Sequence, residues 1–291
     1  MIKERKMADL RLRFPGGKRL ALTFSYDDGL PSDERLISIF NKYGMKGTFN
    51  INSNTYRKED DLPSAEITIE RSNMWTRTKK SELLPLFADG VHEVANHGLG
   101  HVPLGSLPLS EAVSNMVLDR AANEKDYERF VRGAAYPNGS VSDTAVEALR
   151  AAGIAYCRTT TATRSFNLPK DWLRLDPTCH HNDPRLFELA KEFVESEGRD
   201  PMLFYVWGHS SEFVVDGNWD RIERFCELVA TASDRVWFAT NIEIYDYVMA
   251  FDALVRSADG RMIFNPTSTD IYAAVGGRKD VCIPAGAIVK L

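Results

Sequence analysis

The chain has 291 residues, 44% hydrophobic and 26% charged, which excludes a disordered or fibrous protein and suffices for a large folded core. The net charge of −5, with basic residues scattered, leaves no footprint for nucleic acid or an anionic membrane. No stretch reaches the roughly 18 apolar residues a bilayer span needs, and the basic start lacks the apolar run of a secretion signal, so a cytoplasmic location is expected.

The basic run Lys3 to Lys6, with Arg11 and Arg13, is read as solvating the N-terminus, and Met7 as an alternative start that would leave residues 1–6 dispensable. Residues 20–24 (LALTF) are a buried strand, which ends in Ser25-Tyr26-Asp27-Asp28-Gly29. In residues 32–43, Leu36, Ile37, Phe40 and Tyr43 recur at helical spacing before Gly44. Residues 47–52 are the next strand, which completes the strand–helix–strand unit of a parallel sheet. The alternation continues with a helix at 82–88, a strand at 90–95, a helix at 109–130 and a short apolar run at 132–136. It goes on with a helix at 143–152, a strand at 154–157, a helix at 184–197 and the strand 202–207, which stops at Gly208-His209. A helix at 219–232, a strand at 236–239 and a helix at 242–251 follow.

Beyond residue 252 the pattern changes to short strand-like pieces at 253–257, 262–265, 271–274, 281–283 and 287–291, with turns such as Ala258-Asp259-Gly260 and Gly276-Gly277. We expect a (β/α) unit over residues 1–251 and a small β appendage over 252–291. Packing on the barrel, a contact in a homo-oligomer and an extra sugar contact all stay open for the appendage. Cys157, Cys179, Cys226 and Cys282 have no CxxC spacing and are read as reduced core thiols, Cys179 set apart by its neighbours His180 and His181.

The polar clusters Asp27-Asp28, His97 and His209 all follow strands. A parallel barrel gathers such residues at the C-terminal rim, whereas an open doubly wound sheet collects them at one switch point. Their spread along the chain favours the barrel. Adjacent aspartates in a poorly hydrated site need a cation or a proton between them. His97 and His101, four residues apart, add two imidazoles that face one point. Two His and one carboxylate leave open coordination positions, as catalytic zinc sites require, and equally fit a non-haem Fe(II) triad.

The segments Thr23-Phe24-Ser25-Tyr26-Asp27-Asp28-Gly29 and His97-Gly98-Leu99-Gly100-His101 resemble the first two motifs of the polysaccharide deacetylase family, carbohydrate esterases related to chitooligosaccharide deacetylases. Tyr136-Pro137-Asn138-Gly139 is similar to the third motif and Trp207-Gly208-His209 to the last, over roughly residues 18–250. The resemblance implies a distorted (β/α) barrel with an incomplete strand count and hydrolysis of an acetyl group of an acetylated sugar or oligosaccharide. It implies a divalent metal (zinc first, then cobalt, nickel, manganese or iron) on Asp28, His97 and His101. Asp27 would be the base, His209 the acid, and the backbone N–H of Asn138 an oxyanion donor, with Tyr136, Asn138 and Trp207 toward the substrate.

The family's Arg-x-Pro-Tyr-Gly motif is altered: Ala135 falls at its arginine and Asn138 at its tyrosine, while Arg132 lies three residues before Ala135. Arg158 is expected to supply the guanidinium that orients Asp27. The family's acidic partner of the acid histidine is only loosely matched by Asp171-Trp172 or Asp176. His180, His181 and His92 are read as structural, the first two also as substrate contacts. Trp172, Trp207 and Trp219 are read as core, with one of them near His209 as a sugar-stacking wall. Hydrolysis of a non-sugar C–N bond (a cyclic amide or ureide), or a non-catalytic carbohydrate-binding protein on this scaffold, are the rival readings.

Overall fold

The computed structural model describes residues 9–276 and 279–291, so the Lys3 to Lys6 run, Met7 and the second glycine of Gly276-Gly277 lie outside the described residues. β1 (Leu10–Arg13) leads into β2 (Leu20–Asp27), all eight of whose residues are buried. α1 (Asp33–Lys42), β3 (Thr48–Ile51), α2 (Lys80–Leu83), β4 (Glu93–Asn96), α3 (Leu109–Tyr127), β5 (Gly133–Ala135), α4 (Asp143–Ala151) and β6 (Tyr156–Arg158) follow. Then come β7 (Cys179–His180), α5 (Leu186–Glu195), β8 (Met202–Gly208), α6 (Ser210–Val215), α7 (Trp219–Ala230), β9 (Val236–Phe238) and α8 (Asn241–Asp252).

The central sheet is parallel, in the order β6-β5-β4-β3-β2-β8-β7, with β9 also on β2. Burial on both faces gives its strands continuous apolar runs rather than alternation. β2 is the hub: β8 pairs with it from Leu20 to Tyr26, while the other side is shared by β9 at Leu20–Leu22 and β3 at Ser25–Asp27. The sheet is curled, and one short stretch links its edges. Leu175 donates its N–H to Cys157 O and accepts from Thr159 N, both at 2.9 Å, and Thr178 N then donates to Tyr205 O before β7 pairs with β8. The fold is a distorted (β/α) barrel with an incomplete strand count, plus extra C-terminal strands.

Those strands are β10 (Val255–Arg256), β11 (Met262–Phe264), β12 (Ile271–Val275), β13 (Lys279–Ile283) and β14 (Ile288–Lys290). They form antiparallel sheets β10-β11-β14 and β1-β12-β13, the second recruiting β1 from the other end of the chain. This corrects the reading of Arg13 as a solvating residue: it is buried, donating to Asp280 and to the carbonyls of Leu12 and Arg199. The alternation Leu10-Arg-Leu-Arg13 is a strand pattern that its charges disguise. β7 and α6 were not expected either, being two and six residues long.

Inside the barrel a polar network ties strands to α8. Thr48 Oγ1 and Tyr156 OH donate to the Glu93 carboxylate at 2.8 and 2.7 Å, and Ile242 N at 2.9 Å. Asn241 N donates to Thr48 Oγ1, and Thr23 Oγ1 to Asn241 Oδ1. Burial pushes the Glu93 carboxyl up to about 7. Gly133 sits opposite Tyr156, and a Cβ there would lie 2.1 Å from the anchored hydroxyl. Gly133→Ala is therefore expected to destabilise the fold by about 1–3 kcal/mol, read as a lower denaturation midpoint; an unchanged midpoint would mean that Tyr156 is free to swing aside.

Candidate active site

At the end of β2 the side chains alternate. Tyr26 packs outward on Phe40 and Phe213, while Ser25 and Asp27 face inward, both contacted by the Asn50 amide of β3. Asp27 Oδ1 accepts from Asn50 Nδ2 at 2.7 Å, and Oδ2 accepts from the guanidinium of Arg158, a side chain with no exposed surface. Arg158 also lies 4.3 Å from the centre of the Trp207 ring. Burial alone would raise the Asp27 carboxyl, but Arg158, His97, His209 and the Asn50 bond hold it at about 2.

Asp28 turns out of the strand with φ 87°, a left-handed conformation that costs a non-glycine residue energy. Its Oδ1 stands 3.8 Å from His97 Nε2 and 3.6 Å from His101 Nε2, and accepts from Arg77 Nη2 at 2.7 Å. His101 (φ 57°) and Asn138 (φ 56°) are also left-handed. Three of the five described non-glycine residues with positive φ thus belong to this cluster.

His97 follows β4, and its Nδ1 lies 2.9 Å from Ala135 O. A carbonyl can only accept, so Nδ1 carries the proton and Nε2 presents a lone pair. Burial lowers the His97 imidazole to about 4, which keeps it neutral. Asp119 of α3 fixes the loop by accepting from His97 N and from Ser53 N and Oγ. The ligand atoms of Asp28, His97 and His101 all lie within 4.8 Å of one another. Donors about 2.1 Å from a tetrahedral ion stand roughly 3.4 Å apart, so this donor set fits a divalent cation.

His209 caps α6, with Nε2 3.7 Å from Asp27 Oδ2 and Nδ1 3.2 Å from Glu212 Oε1. Burial disfavours a charge on His209, but the bond to Glu212 and the charges of Asp27 and Asp28 raise its pKa above the ordinary value. Glu212 Oε2 also lies 3.1 Å from His180 Nε2 and 2.9 Å from His181 Nε2. Burial would raise this carboxyl, yet the three imidazoles hold it far below the usual range. His180, His181 and Glu212 are close enough for a second ion. However, His180 Nδ1 accepts from Asn182 N, so in the neutral ring Nε2 carries the proton and has no lone pair for an ion.

A cavity of about 520 Å³ opens over these groups, walled by Trp75, Arg77, Tyr136, Asn138, Thr160 and Trp207. The sequence-predicted residues Asp27, Asp28, His97, His101, His209, Tyr136, Asn138 and Trp207 all line it, and Arg158 lies behind Asp27. The Tyr136 hydroxyl turns away to donate to Leu173 O. The other candidates lie elsewhere. Arg132 pairs with Asp246, Asp171 with Arg174, and Asp176 accepts from Thr159. Trp172 packs on Tyr245, Trp219 lies under Arg35, and His92 bonds Gly47 N and Asn41. Cys157, Cys179, Cys226 and Cys282 are free thiols, the first three buried.

Sequence reasoning missed Asn50, Trp75, Arg77, Thr160 and Glu212. Glu212 had a signal, three residues after His209 on one helical turn, but residues 210–215 had not been read as helix. Trp75 and Arg77 come from the aperiodic stretch between β3 and α2, where nothing marked them. The Trp75 ring meets His209 edge-on at 4.8 Å.

Fold and site together define a (β/α)-barrel protein with a carboxylate–imidazole donor set at its strand ends. Residues 14–157, just under half of the chain, match the polysaccharide deacetylase family. The putative polysaccharide deacetylase of Mycobacterium smegmatis superposes with a TM-score of 0.55 at 16% identity, over 85% of this chain and 96% of that one. A family 4 acetyl xylan esterase from Clostridium thermocellum, solved with a cobalt ion, gives 0.45 at 14% identity, over 78% and 90%. The Streptococcus pyogenes deacetylase PplD gives 0.43 at 15% identity over 52% of this chain, and the match spans 61% of that protein. No curated protein matches the chain.

Removing Arg158 leaves Asp27 as a buried, uncompensated charge. Arg158→Met is expected to cost about 3–5 kcal/mol of stability, and Asp27→Asn in the same chain to recover most of it. Denaturant titration of the single and double variants checks this, and simply additive losses would contradict it.

Proposed function

We propose that the protein is a metal-dependent deacetylase that hydrolyses the acetyl group of an N- or O-acetylated carbohydrate. The observation that carries this reading is the juxtaposition, in one cavity, of the Asp28–His97–His101 donor set, the ionised Asp27 and His209. The match of residues 14–157 to the polysaccharide deacetylase family supports it. A divalent ion held by Asp28, His97 and His101, with zinc the best match to the donors, would polarise the acetyl carbonyl and acidify a water.

Asp27, kept ionised by its pairing with Arg158, would accept the proton of the attacking water. The Asn138 turn offers a backbone N–H to the developing oxyanion. His209, its Nδ1 bonded to Glu212, directs Nε2 into the cavity and gives a proton to the departing amine or alcohol. Trp75 and Trp207 provide flat walls on which a sugar ring stacks.

Protein stripped with a chelator and reloaded with zinc is expected to release acetate from a panel of acetylated sugars. His97→Ala should bind no stoichiometric metal and release none. Carefully prepared wild type that takes up no divalent metal would favour a binding protein instead. The sign of one pH effect follows from the site. Glu212, with Asp27 and Asp28, raises the His209 pKa against the effect of burial, so losing the Glu212 charge in Glu212→Gln lowers it. His209 must be protonated to act as an acid, so the alkaline limb of kcat/KM should move to lower pH by roughly 1 unit. A limb that stays in place would remove His209 from that role.

A further inference from the structure

Arg77 belongs to none of the barrel strands, yet its largely buried guanidinium reaches the cavity floor. Nη2 donates to Asp28 Oδ1 at 2.7 Å, Nη1 to Trp75 O at 2.8 Å, and Nε to Thr55 Oγ1 at 3.4 Å. A guanidinium has about five N–H donors, and these bonds leave one N–H unused on each Nη nitrogen, available to a carboxylate.

The charges around the cavity identify what those unused donors are for. Asp27 is matched by Arg158. Asp28 is matched by Arg77. Glu212 is matched by His209 when the latter carries the proton it donates. These three pairs therefore cancel, and the Asp119 carboxylate behind His97, which no described cation pairs, leaves one negative charge over. A divalent cation on Asp28, His97 and His101 would add two positive charges, of which Asp119 offsets one. In a partly enclosed cavity such an excess is costly, and an anionic ligand relieves it. A neutral acetylated sugar does not.

Resting on the deacetylase reading above, we propose that the preferred substrate carries a carboxylate close to its acetyl group, and that Arg77 receives this carboxylate. Arg77 is then a specificity-determining residue. Trp75, two residues earlier, lies against His209 and fixes the side from which the leaving group is protonated.

The experiment compares acidic N-acetylglucosamine derivatives, with the carboxylate at C6 or on a 3-O-lactyl arm, each against its own primary amide. With zinc-loaded wild type, at least one acid should exceed its amide in kcat/KM by about tenfold or more. In Arg77→Met the acid-to-amide ratio should fall to about one, and Arg77→Lys should keep part of the preference. Calorimetry supplies a second readout: the deacetylated acid should bind zinc-loaded wild type at least about tenfold more tightly than zinc-loaded Arg77→Met. Equal rates for acids and amides in wild type would overturn the proposal. So would an Arg77→Met variant that loses zinc and falls equally on both, for Arg77 would then only prop Asp28. If no compound releases acetate, the deacetylase reading fails, and the calorimetric comparison still decides whether Arg77 binds carboxylates.

Discussion

The ion pair between Asp27 and Arg158 constrains the shape of the whole sheet. Asp27 ends the hub strand β2 and Arg158 ends β6, with β3, β4 and β5 between them. Four steps of about 4.8 Å would separate these strands by roughly 19 Å in a flat sheet. The guanidinium nevertheless touches the carboxylate, which requires the sheet to curl until its rim closes over a small space. The short stretch from Leu175 to His180, bonded at one end to β6 and at the other to β8, covers the gap that remains. A complete set of eight strands is thus unnecessary for a closed rim.

The same curl stacks polar groups in two levels. The lower one, around Glu93, Tyr156, Thr48 and Asn241, satisfies its members internally. The upper one, at the strand ends, leaves ligand atoms facing open space: Nε2 of His97 and His101, an oxygen of Asp28 and Nε2 of His209. Second contacts hold His97, His209 and the neighbouring Asp27 from behind. Ala135 O fixes the tautomer of His97, Glu212 turns His209, and Asn50 and Arg158 fix Asp27. Three left-handed residues at this level store backbone strain where orientation matters most.

How much was legible in the sequence follows from these causes. Residues inside regular elements announce themselves by period, so the parallel alternation, and with it the barrel, could be read before any coordinates. Most site residues at strand ends share that legibility, and Arg158 can be placed because β6 can; Asn50 of β3, inside a legible strand, carries no mark of its role. Contacts made from irregular backbone left no trace. Glu212 was hidden because α6 is short, and Arg77 because the chain from β3 to α2 has no period at all. The charge on Leu10-Arg-Leu-Arg13 masked a strand whose partner lies at the far end of the sequence.

That aperiodic stretch between β3 and α2 is tied to strands and strand-end loops near its ends, and in its middle to helices, by Ser64 to Glu82 and Arg71 to Asp216. Asn54 N bonds Leu99 O, Arg57 N bonds Thr78 O, and Thr78 N bonds Gly29 O. Everything between can change length and composition without touching a strand. The groups that a molecule in the cavity meets at Trp75 and Arg77 thus come from another part of the chain than the strand ends, and touch them only through Asp28 and His209. A change in this one insert would therefore remodel one wall of the cavity, while the strand-end rim answers to the separate demands of the sheet.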